Sequence, residues 1–89
     1  MNRIINPFIV SYKTIDIHGE TTDTVVYVIE TFIKDNVKLK NKDLVIIHGK
    51  GSGKLKNKTH ELLRKNKNVQ EFYIDMFNEG CTIVHLHLD

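Results

Sequence analysis

The sequence has one cysteine, no tryptophan and no long apolar run, and each shortage narrows the class of protein. A single cysteine, Cys81, excludes an intramolecular disulfide and fits a reducing compartment. Because Cys81 falls within a strand pattern, we expect a small buried side chain rather than a nucleophile. No apolar run approaches the ~20 residues of a membrane span, and the start of the chain lacks the features of a signal peptide. These absences predict a cytoplasmic protein with no membrane partner.

An excess of one charge is also lacking over the whole chain. The 89 residues carry a net charge of +2, with 40% hydrophobic and 27% charged residues, which is typical of one small globular domain. The distribution is more informative, because between positions 50 and 67 a single acid, Glu61, opposes a cluster of bases. That cluster could follow a nucleic-acid backbone or form an ordinary solvated helix face. Its members are Lys50, Lys54, Lys56, Lys58, Arg64, Lys65 and Lys67.

The centre of the chain combines a buried strand, a glycine loop and the start of a helix. Residues 44–47 read Leu-Val-Ile-Ile, and 48–53 read His-Gly-Lys-Gly-Ser-Gly. Such a unit directs backbone N–H groups at an anion, although a tight turn without a ligand would look the same. The spacing matches neither a Walker A loop nor a dinucleotide-binding fingerprint, so we expect no nucleotide cofactor.

Hydrophobic periodicity predicts the element order β-α-β-α-β-β. The first helix begins after Thr21, a plausible N-cap, but position 24 holds Thr24 where a capping box has Glu or Gln, which leaves the predicted cap half built. A hairpin turn is predicted at 78–80, Asn-Glu-Gly. The predicted elements are a strand at 9–17, a helix at 22–35, a strand at 44–47, a helix at 53–65, a strand at 69–76 and a strand at 81–88.

This order predicts a two-layer α/β sandwich with a four-stranded mixed sheet and two helices. Helical crossovers imply that the first three strands pair in parallel, while the final hairpin adds an antiparallel strand. Right-handed crossovers place both helices on one face of the sheet. The second strand is too apolar for an open second face, so we expect an N-terminal arm, residues 1–8, or a partner to cover it through Ile4, Ile5 and Phe8. The domain itself is predicted to span 9–89.

Candidate chemistry lies at the ends of the first two strands, where ligands collect in α/β sheets. An imidazole moves protons near neutral pH, and a lysine with loop amides can hold charge on a phosphate. Asp16 and His18 could instead line the solvent face, and His48 could be a hydrogen-bonded turn residue. The predicted catalytic residues are Asp16, His18 and His48. The predicted nucleic-acid-binding residues are Gly49, Lys50, Gly51, Ser52, Gly53 and Lys54.

Three further histidines have simpler interpretations. His60 lies in the middle of a predicted helix among polar residues, and we expect it to be solvated. His85 and His87 have a spacing that could hold a metal ion, but no third ligand is evident nearby, so no metal site is predicted.

Two motifs and a strand resemble the Smr (small MutS-related) domain family. Residues 15–19, Ile-Asp-Ile-His-Gly, followed by Thr21, resemble its L-D-L-H-G-x-T signature. Residues 46–55 resemble its I-I-H-G-x-G-x-G-x-L signature, and 80–84 are similar to its G-x-T-x-V strand. The resemblance covers about 13–88 in the expected order and spacing.

The resemblance implies the same α/β sandwich and a nuclease that nicks or cleaves DNA or RNA, in some members at stalled ribosomes. It assigns catalysis to Asp16 and His18, and assistance to His48, Gly49, Lys50 and Gly51. We therefore predict an endonuclease in which His18 is the general acid or base, Asp16 orients it or helps to position a nucleophile, and His48 and Lys50 hold the scissile phosphate with the loop amides. RNA would supply its own 2′-hydroxyl, whereas DNA would need water and a divalent ion, Mg²⁺ or Mn²⁺.

Two other functions remain open from the sequence. The same basic loop could serve a non-catalytic module that binds nucleic acid or the ribosome. The chain could also be a protein-interaction adaptor that docks through the arm and the sheet face, and this would show little sensitivity to salt.

Overall fold

The computed structural model describes residues 11–88, in which the six predicted elements occur in the predicted order. No helix in this range is both long and apolar enough to cross a membrane. The predicted arm, with Ile4, Ile5 and Phe8, and the first two residues of the predicted first strand lie outside the described residues. The elements are β1 (Lys13–Asp16), α1 (Thr24–Lys38), β2 (Asp43–Ile47), α2 (Lys54–Lys65), β3 (Val69–Asp75) and β4 (Asn78–Leu86).

The four strands form one mixed sheet in the order β1-β2-β4-β3. β1 and β2 pair in parallel, as predicted, and β4 pairs antiparallel with both β2 and β3. The prediction that β3 pairs with the first two strands is wrong. β3 runs in their direction, but β4 lies between β3 and β2. Because β4 is buried along most of its length whereas β3 is half exposed, the central position belongs to the more apolar strand.

Helix α1 forms because its apolar residues recur at helical spacing. Val25, Ile29 and Ile33 are buried against the sheet, with Val28 and Phe32 beside them. The helix continues to Lys38, three residues beyond the prediction. It can do so because the next residue on the buried stripe is Asn36, whose amide nitrogen donates to the Phe32 carbonyl at 2.8 Å.

The N-terminus of α1 has a fuller cap than the sequence predicts. The Thr24 N–H donates to Thr21 Oγ1 at 3.1 Å, and the Thr21 N–H donates back to Thr24 Oγ1 at 3.0 Å. The Thr24 hydroxyl in turn donates to Glu20 Oε1 at 2.7 Å. The prediction of a half-built cap is therefore wrong, because a threonine hydroxyl at position 24 closes the reciprocal bond that Glu or Gln usually makes.

β2 is buried on both faces, as its apolar sequence predicts. On one face Leu44 and Ile46 pack with both helices, which share that face. On the other face Val45 and Ile47 form a second buried cluster with Cys81 and Ile83, against which Tyr12 packs. Cys81 is buried as predicted, and burial raises the pKa of its thiol. Whether 1–8 contribute to covering this face stays a prediction.

Two predicted boundaries are wrong for local reasons. β1 starts at Lys13 rather than earlier in the described chain, because Ser11 and Tyr12 form a turn and a bend. The β3–β4 turn is Met76–Phe77, and Asn78 already pairs with Asp75 in the sheet. Residues 78–80 thus begin β4 instead of forming the turn.

Candidate functional site

Parallel pairing of β1 and β2 brings the two predicted site loops to the same edge of the sheet. Asp16 is the register partner of Ile47, and the Ile17 N–H donates to the Ile47 carbonyl at 2.8 Å. The loop with His18 and the loop with His48 therefore leave the sheet side by side, as the sequence predicts.

Asp16 and His18 form a tight pair in the first loop. Asp16 Oδ1 lies 2.6 Å from His18 Nδ1 and accepts the His18 backbone N–H at 3.0 Å. A carboxylate can only accept, so Nδ1 carries a hydrogen and the neutral ring keeps its lone pair on Nε2. Burial acts to raise the pKa of Asp16, but the bonds from the His18 ring and backbone outweigh it, and the pKa is lowered. The His18 side chain is 62% exposed.

Gly49 joins the two loops at close range. Its φ of +84° lies in the left-handed region, and a β-carbon there would lie 3.5 Å from His18 Cβ. On its other side, a β-carbon at Gly80 would lie 3.4 Å from two backbone atoms of Gly49. The positive φ favours glycine at position 49, and the short distances show that β4, the glycine loop and His18 are in van der Waals contact.

His48 turns its ring into the protein. It is 4% exposed, with Nδ1 2.9 Å from the Gly49 carbonyl and Nε2 2.8 Å from Thr82 Oγ1. Burial lowers the pKa of the ring, and Lys56 adds to this effect, although the Gly49 carbonyl opposes it. The predicted catalytic role of His48 stays a prediction, but both ring nitrogens already bond to groups of the protein.

The prediction that His60 is solvated is wrong. Its Nε2 lies 2.8 Å from Thr82 Oγ1, so His48 and His60 share one buried hydroxyl. The ring also packs against Phe72, with centroids 4.9 Å apart. Burial lowers the pKa of His60, with further lowering from the nearby His48, Lys56 and Arg64.

Sequence reasoning missed Thr82 and His60 as a pair. Strand alternation places Thr82 on the same face as Val84 and Leu86. A polar residue on this core face indicates a buried hydrogen bond, and the sequence alone shows that it is there. Nothing in the spacing shows that His60, on a helix that precedes that strand by two elements, supplies its partner.

The outer part of the glycine loop offers hydrogen-bond donors. Within the described residues, the backbone N–H groups of 50–53 make no hydrogen bond, whereas the N–H groups of His48 and Gly49 both donate to the Gly80 carbonyl, at 2.9 and 3.0 Å. Gly53, with a φ of +86°, precedes the first turn of α2. The predicted phosphate donors therefore divide, because the Gly49 N–H is used within the protein and those of Lys50, Gly51, Ser52 and Gly53 are not.

An open groove of about 560 Å³ lies between the two loops. His18 and 20–22 form one wall, and 48–56 form the other. Lys50, Lys54 and Lys56 line it, against one carboxylate, Glu20, which accepts the Thr24 hydroxyl. The groove is therefore basic and lies at the N-terminus of α2, a combination that attracts anions.

Among residues 11–88, the side chains form no cluster suited to a resident metal ion. Within 11–88, no three His, Cys, Asp or Glu side chains lie close enough together to hold an ion. His85 instead places Nδ1 2.7 Å from Asp43 Oδ1 and Nε2 2.9 Å from the Tyr73 hydroxyl, and His87 is exposed. A Mg²⁺ or Mn²⁺ ion in the groove would have to take most of its ligands from substrate phosphates and water.

Comparison with known proteins places this arrangement in a family. The chain is 42% identical over 76 residues to a protein named Endonuclease MutS2 from Thermotoga neapolitana, and 34% identical over 84 residues to the one from Aquifex aeolicus. These matches cover 84% and 90% of this chain but only 10% and 11% of the relatives. The chain thus spans about a tenth of the length of these curated relatives.

Solved structures agree with the sequence match. The crystal structure of the Smr domain of Thermus thermophilus MutS2 superposes with a TM-score of 0.81 and 28% identity, covering 84% of this chain and 98% of that one. YdaL, a stand-alone small MutS-related protein from Escherichia coli, shares the fold with a TM-score of 0.76 and 18% identity, covering 82% and 63% of the two chains. The Smr domain family model matches residues 15–87. This chain belongs to the Smr domain family.

Proposed function

We propose that this Smr domain is an endonuclease that cleaves phosphodiester bonds of RNA or DNA in the basic groove. The observation that carries the proposal is the position of His18, bonded to Asp16, in the wall of a groove lined by lysines and unbonded loop amides. A proton carrier beside a phosphate-holding surface is the minimum that phosphodiester cleavage requires. Relatives that carry the name endonuclease support the proposal.

In this proposal His18 transfers the proton and Asp16 positions it. The bond from Nδ1 to Asp16 sets the tautomer and the ring orientation, so Nε2 is the atom that accepts or donates a proton at the reacting oxygen. The Asp16 carboxylate also stabilises the imidazolium when it forms. Because Asp16 is the last residue of β1 and His18 lies two positions later, the end of the strand and the loop after it define the geometry of the pair.

The glycine loop holds the phosphate. The N–H groups of 50–53 and the Lys50 ammonium face developing negative charge, while the α2 N-terminus adds its dipole. Ser52 and Lys54 flank the same surface. We propose that His48 contributes by holding this loop in place, because its ring nitrogens bond to Gly49 and Thr82.

The substrate decides where the nucleophile comes from. With RNA, the 2′-hydroxyl gives its proton to His18 Nε2 and attacks the adjacent phosphorus, the P–O5′ bond breaks, the 5′-oxygen takes the proton from His18 as it leaves, and a cyclic phosphate results. With DNA, water attacks, and an ion bound largely by substrate phosphates is expected to assist. Ribosome association and a cytoplasmic location stay predictions of the same hypothesis.

A second candidate function has its own observation. Within the described residues, His48 has both ring nitrogens engaged, so the groove presents one imidazole, His18, for proton transfer. Cleavage through two proton carriers would then lack one of them. This favours a module that binds nucleic acid without cutting it as the alternative.

The test is cleavage of matched labelled RNA and DNA, with and without EDTA, by the wild type, His18→Ala and His87→Ala. His87 is exposed and follows the C-terminal end of β4. The groove lies near the other part of that strand, where Cys81 pairs with Ile47, so His87→Ala controls for the loss of a surface imidazole away from the groove. We expect His18→Ala to lower the cleavage rate by about 10²–10⁴-fold, the usual contribution of a general acid or base. His87→Ala should cleave normally.

RNA cleavage that survives EDTA and leaves a cyclic phosphate would establish the 2′-hydroxyl route. Metal-dependent nicking of DNA would support the hydrolytic route. Tight binding without cutting, unchanged in His18→Ala but lost in Lys50→Glu, would replace the nuclease with the binding module.

A further inference from the structure

A buried hydroxyl connects helix α2 to the glycine loop. Thr82 is fully buried, and its Oγ1 lies 2.8 Å from Nε2 of both His48 and His60. A hydroxyl has one hydrogen, so it can donate to only one of these nitrogens and must accept from the other. The donor in each bond follows from the contact that the other ring nitrogen of His48, Nδ1, makes with the Gly49 carbonyl.

The Gly49 carbonyl determines which group donates and which accepts in each of these hydrogen bonds. It can only accept, so His48 Nδ1, 2.9 Å away, carries a hydrogen. In the neutral ring Nε2 then holds the lone pair and accepts the Thr82 hydroxyl. The Thr82 oxygen must therefore accept from His60 Nε2–H. The bonds run in one direction, from His60 through Thr82 and His48 to the Gly49 carbonyl.

The Gly49 carbonyl, at which this series of hydrogen bonds ends, belongs to the same peptide as the Lys50 N–H. In a trans peptide the carbonyl of one residue and the N–H of the next point in opposite directions, and the described chain contains no cis bond. Because the Gly49 carbonyl points at the buried His48 ring, the Lys50 N–H points away from it. The Gly49 N–H is held by the Gly80 carbonyl at 3.0 Å, so both backbone polar groups of Gly49, the residue before the Lys50 N–H, are held by hydrogen bonds.

We propose that His60 is a positioning residue that, through Thr82 and His48, holds the Gly49–Lys50 peptide with its N–H directed into the groove as a donor to a substrate phosphate. The part that concerns phosphate rests on the proposed function. His60 does not line the groove, and its effect on the substrate is indirect. The Lys50 N–H makes the contact with the phosphate. The hydrogen bonds from His60 through Thr82 and His48 to the Gly49 carbonyl, which we call the relay, set the orientation of that N–H.

If His60 only packs against its neighbours, variants that keep the shape of the side chains but remove a hydrogen-bonding group should behave like the wild type. The ring lies against Phe72, so His60→Phe would keep an aromatic ring there while removing the donor. Thr82→Val keeps the shape of the side chain and removes the hydroxyl, whereas Thr82→Ser keeps the hydroxyl. Thr59→Val is a matched control, because Thr59 is also fully buried, lies beside His60 on α2, and has no partner for its hydroxyl within the described residues.

The experiment is nitrogen-15 NMR of the histidine rings and loop amides in the full chain, without substrate and then with a non-cleavable 2′-O-methyl oligonucleotide. In the wild type and Thr82→Ser, we expect hydrogen on His48 Nδ1 and on His60 Nε2. In Thr82→Val and His60→Phe, His48 should keep the hydrogen on Nδ1 that the Gly49 carbonyl requires, but the His48 Nε2 resonance and the Lys50 amide resonance should both move because the ring is no longer held from the Thr82 side. Oligonucleotide affinity should fall about tenfold in both variants, the scale of one lost hydrogen bond to a charged group.

The outcomes separate this inference from the proposed function. A wild-type His48 that carries hydrogen on Nε2 instead of Nδ1, or a Lys50 amide unaffected by Thr82→Val, would overturn the relay. A Thr59→Val variant that disturbs His48 as much as Thr82→Val would reduce the effect to general packing and also overturn it. The expected tautomers in a wild type that binds neither the 2′-O-methyl oligonucleotide nor a matched DNA would support the relay and refute the nuclease.

Discussion

His18 and His48 each follow a strand of the parallel pair at the same edge of the sheet, and the two loops orient their rings in opposite ways. Asp16 holds the His18 ring through Nδ1 on an exposed surface. The Gly49 carbonyl holds His48 through the same atom, but the ring is buried and its Nε2 meets Thr82. A histidine at a strand end can therefore stay exposed beside a carboxylate, as His18 does, or turn inward to a buried hydroxyl, as His48 does.

The largest difference is expected in stability after each ring is removed. His48→Ala deletes a buried ring and leaves the Thr82 hydroxyl and the Gly49 carbonyl without their partner, so the free energy of unfolding should fall by about 2–3 kcal/mol. His18→Ala removes an exposed ring and should change it by no more than about 0.5 kcal/mol. Urea unfolding measures both. Equal losses would show that the two loops contribute alike to the fold.

The outer face of the glycine loop should matter to binding rather than to stability. Lys50→Glu reverses an exposed charge in the groove, so affinity for an oligonucleotide should fall about tenfold or more, and the slope of log affinity against log salt should become shallower by about 1. Lys67→Glu makes the same charge change beyond the far end of α2 and serves as the control. If both variants weaken binding equally, the groove is not the binding surface.

Acid should destabilise the two loops in different pH ranges. The pKa values of His48 and His60 lie below their ordinary value of 6.5, chiefly because of burial, so the unfolded chain takes up protons that the folded rings resist. Their stabilising contribution is complete above pH 6.5 and declines as the pH falls below it. The lowered pKa of Asp16 instead preserves its contribution until the pH falls below 3.8.

Melting temperatures from pH 8 to 5 check the upper range. The decline should be smaller in His48→Gln, which cannot take up a proton at that position. A decline of the same size in His48→Gln and the wild type would assign the effect to other groups.

The smallest expected effect distinguishes the two buried threonines. Thr59→Val removes a hydroxyl with no partner among the described residues and should raise the free energy of unfolding by about 1 kcal/mol. Thr82→Val should lower it, because two histidines lose their shared partner. Thermal unfolding of both variants tests this, and destabilisation by Thr59→Val would mean that its hydroxyl has a partner.

The sequence predicts the parts of this fold that depend on local pattern. The apolar run at 44–47 predicts a strand buried on both faces, and the stripe from Val25 to Ile33 predicts α1. The two loops converge because a single helical crossover joins neighbouring parallel strands. Asp16, His18 and Lys50 could be selected because their side-chain chemistry and their place at strand ends agree.

Features that depend on residues far apart in the sequence could not be predicted from it. Residues 78–80 resemble a turn, but Gly80 packs against the backbone of Gly49, and Asn78 Oδ1 accepts the Gly80 N–H at 2.9 Å within the strand. The insertion of β4 between β2 and β3 depends on competition between whole strands. The inward turn of His48 depends on Thr82, which lies 34 positions later in the chain.

The position of β4 has a consequence for synthesis of the protein. β4 is the last strand to be made, yet it lies between β2 and β3 and supplies the Gly80 carbonyl that holds the glycine loop. Until Asn78–Leu86 leave the ribosome, one edge of the apolar strand β2 has no sheet partner and is a template for aggregation. The glycine loop can therefore take its final form only after Gly80 and Thr82, which hold it and the His48 ring, have been translated.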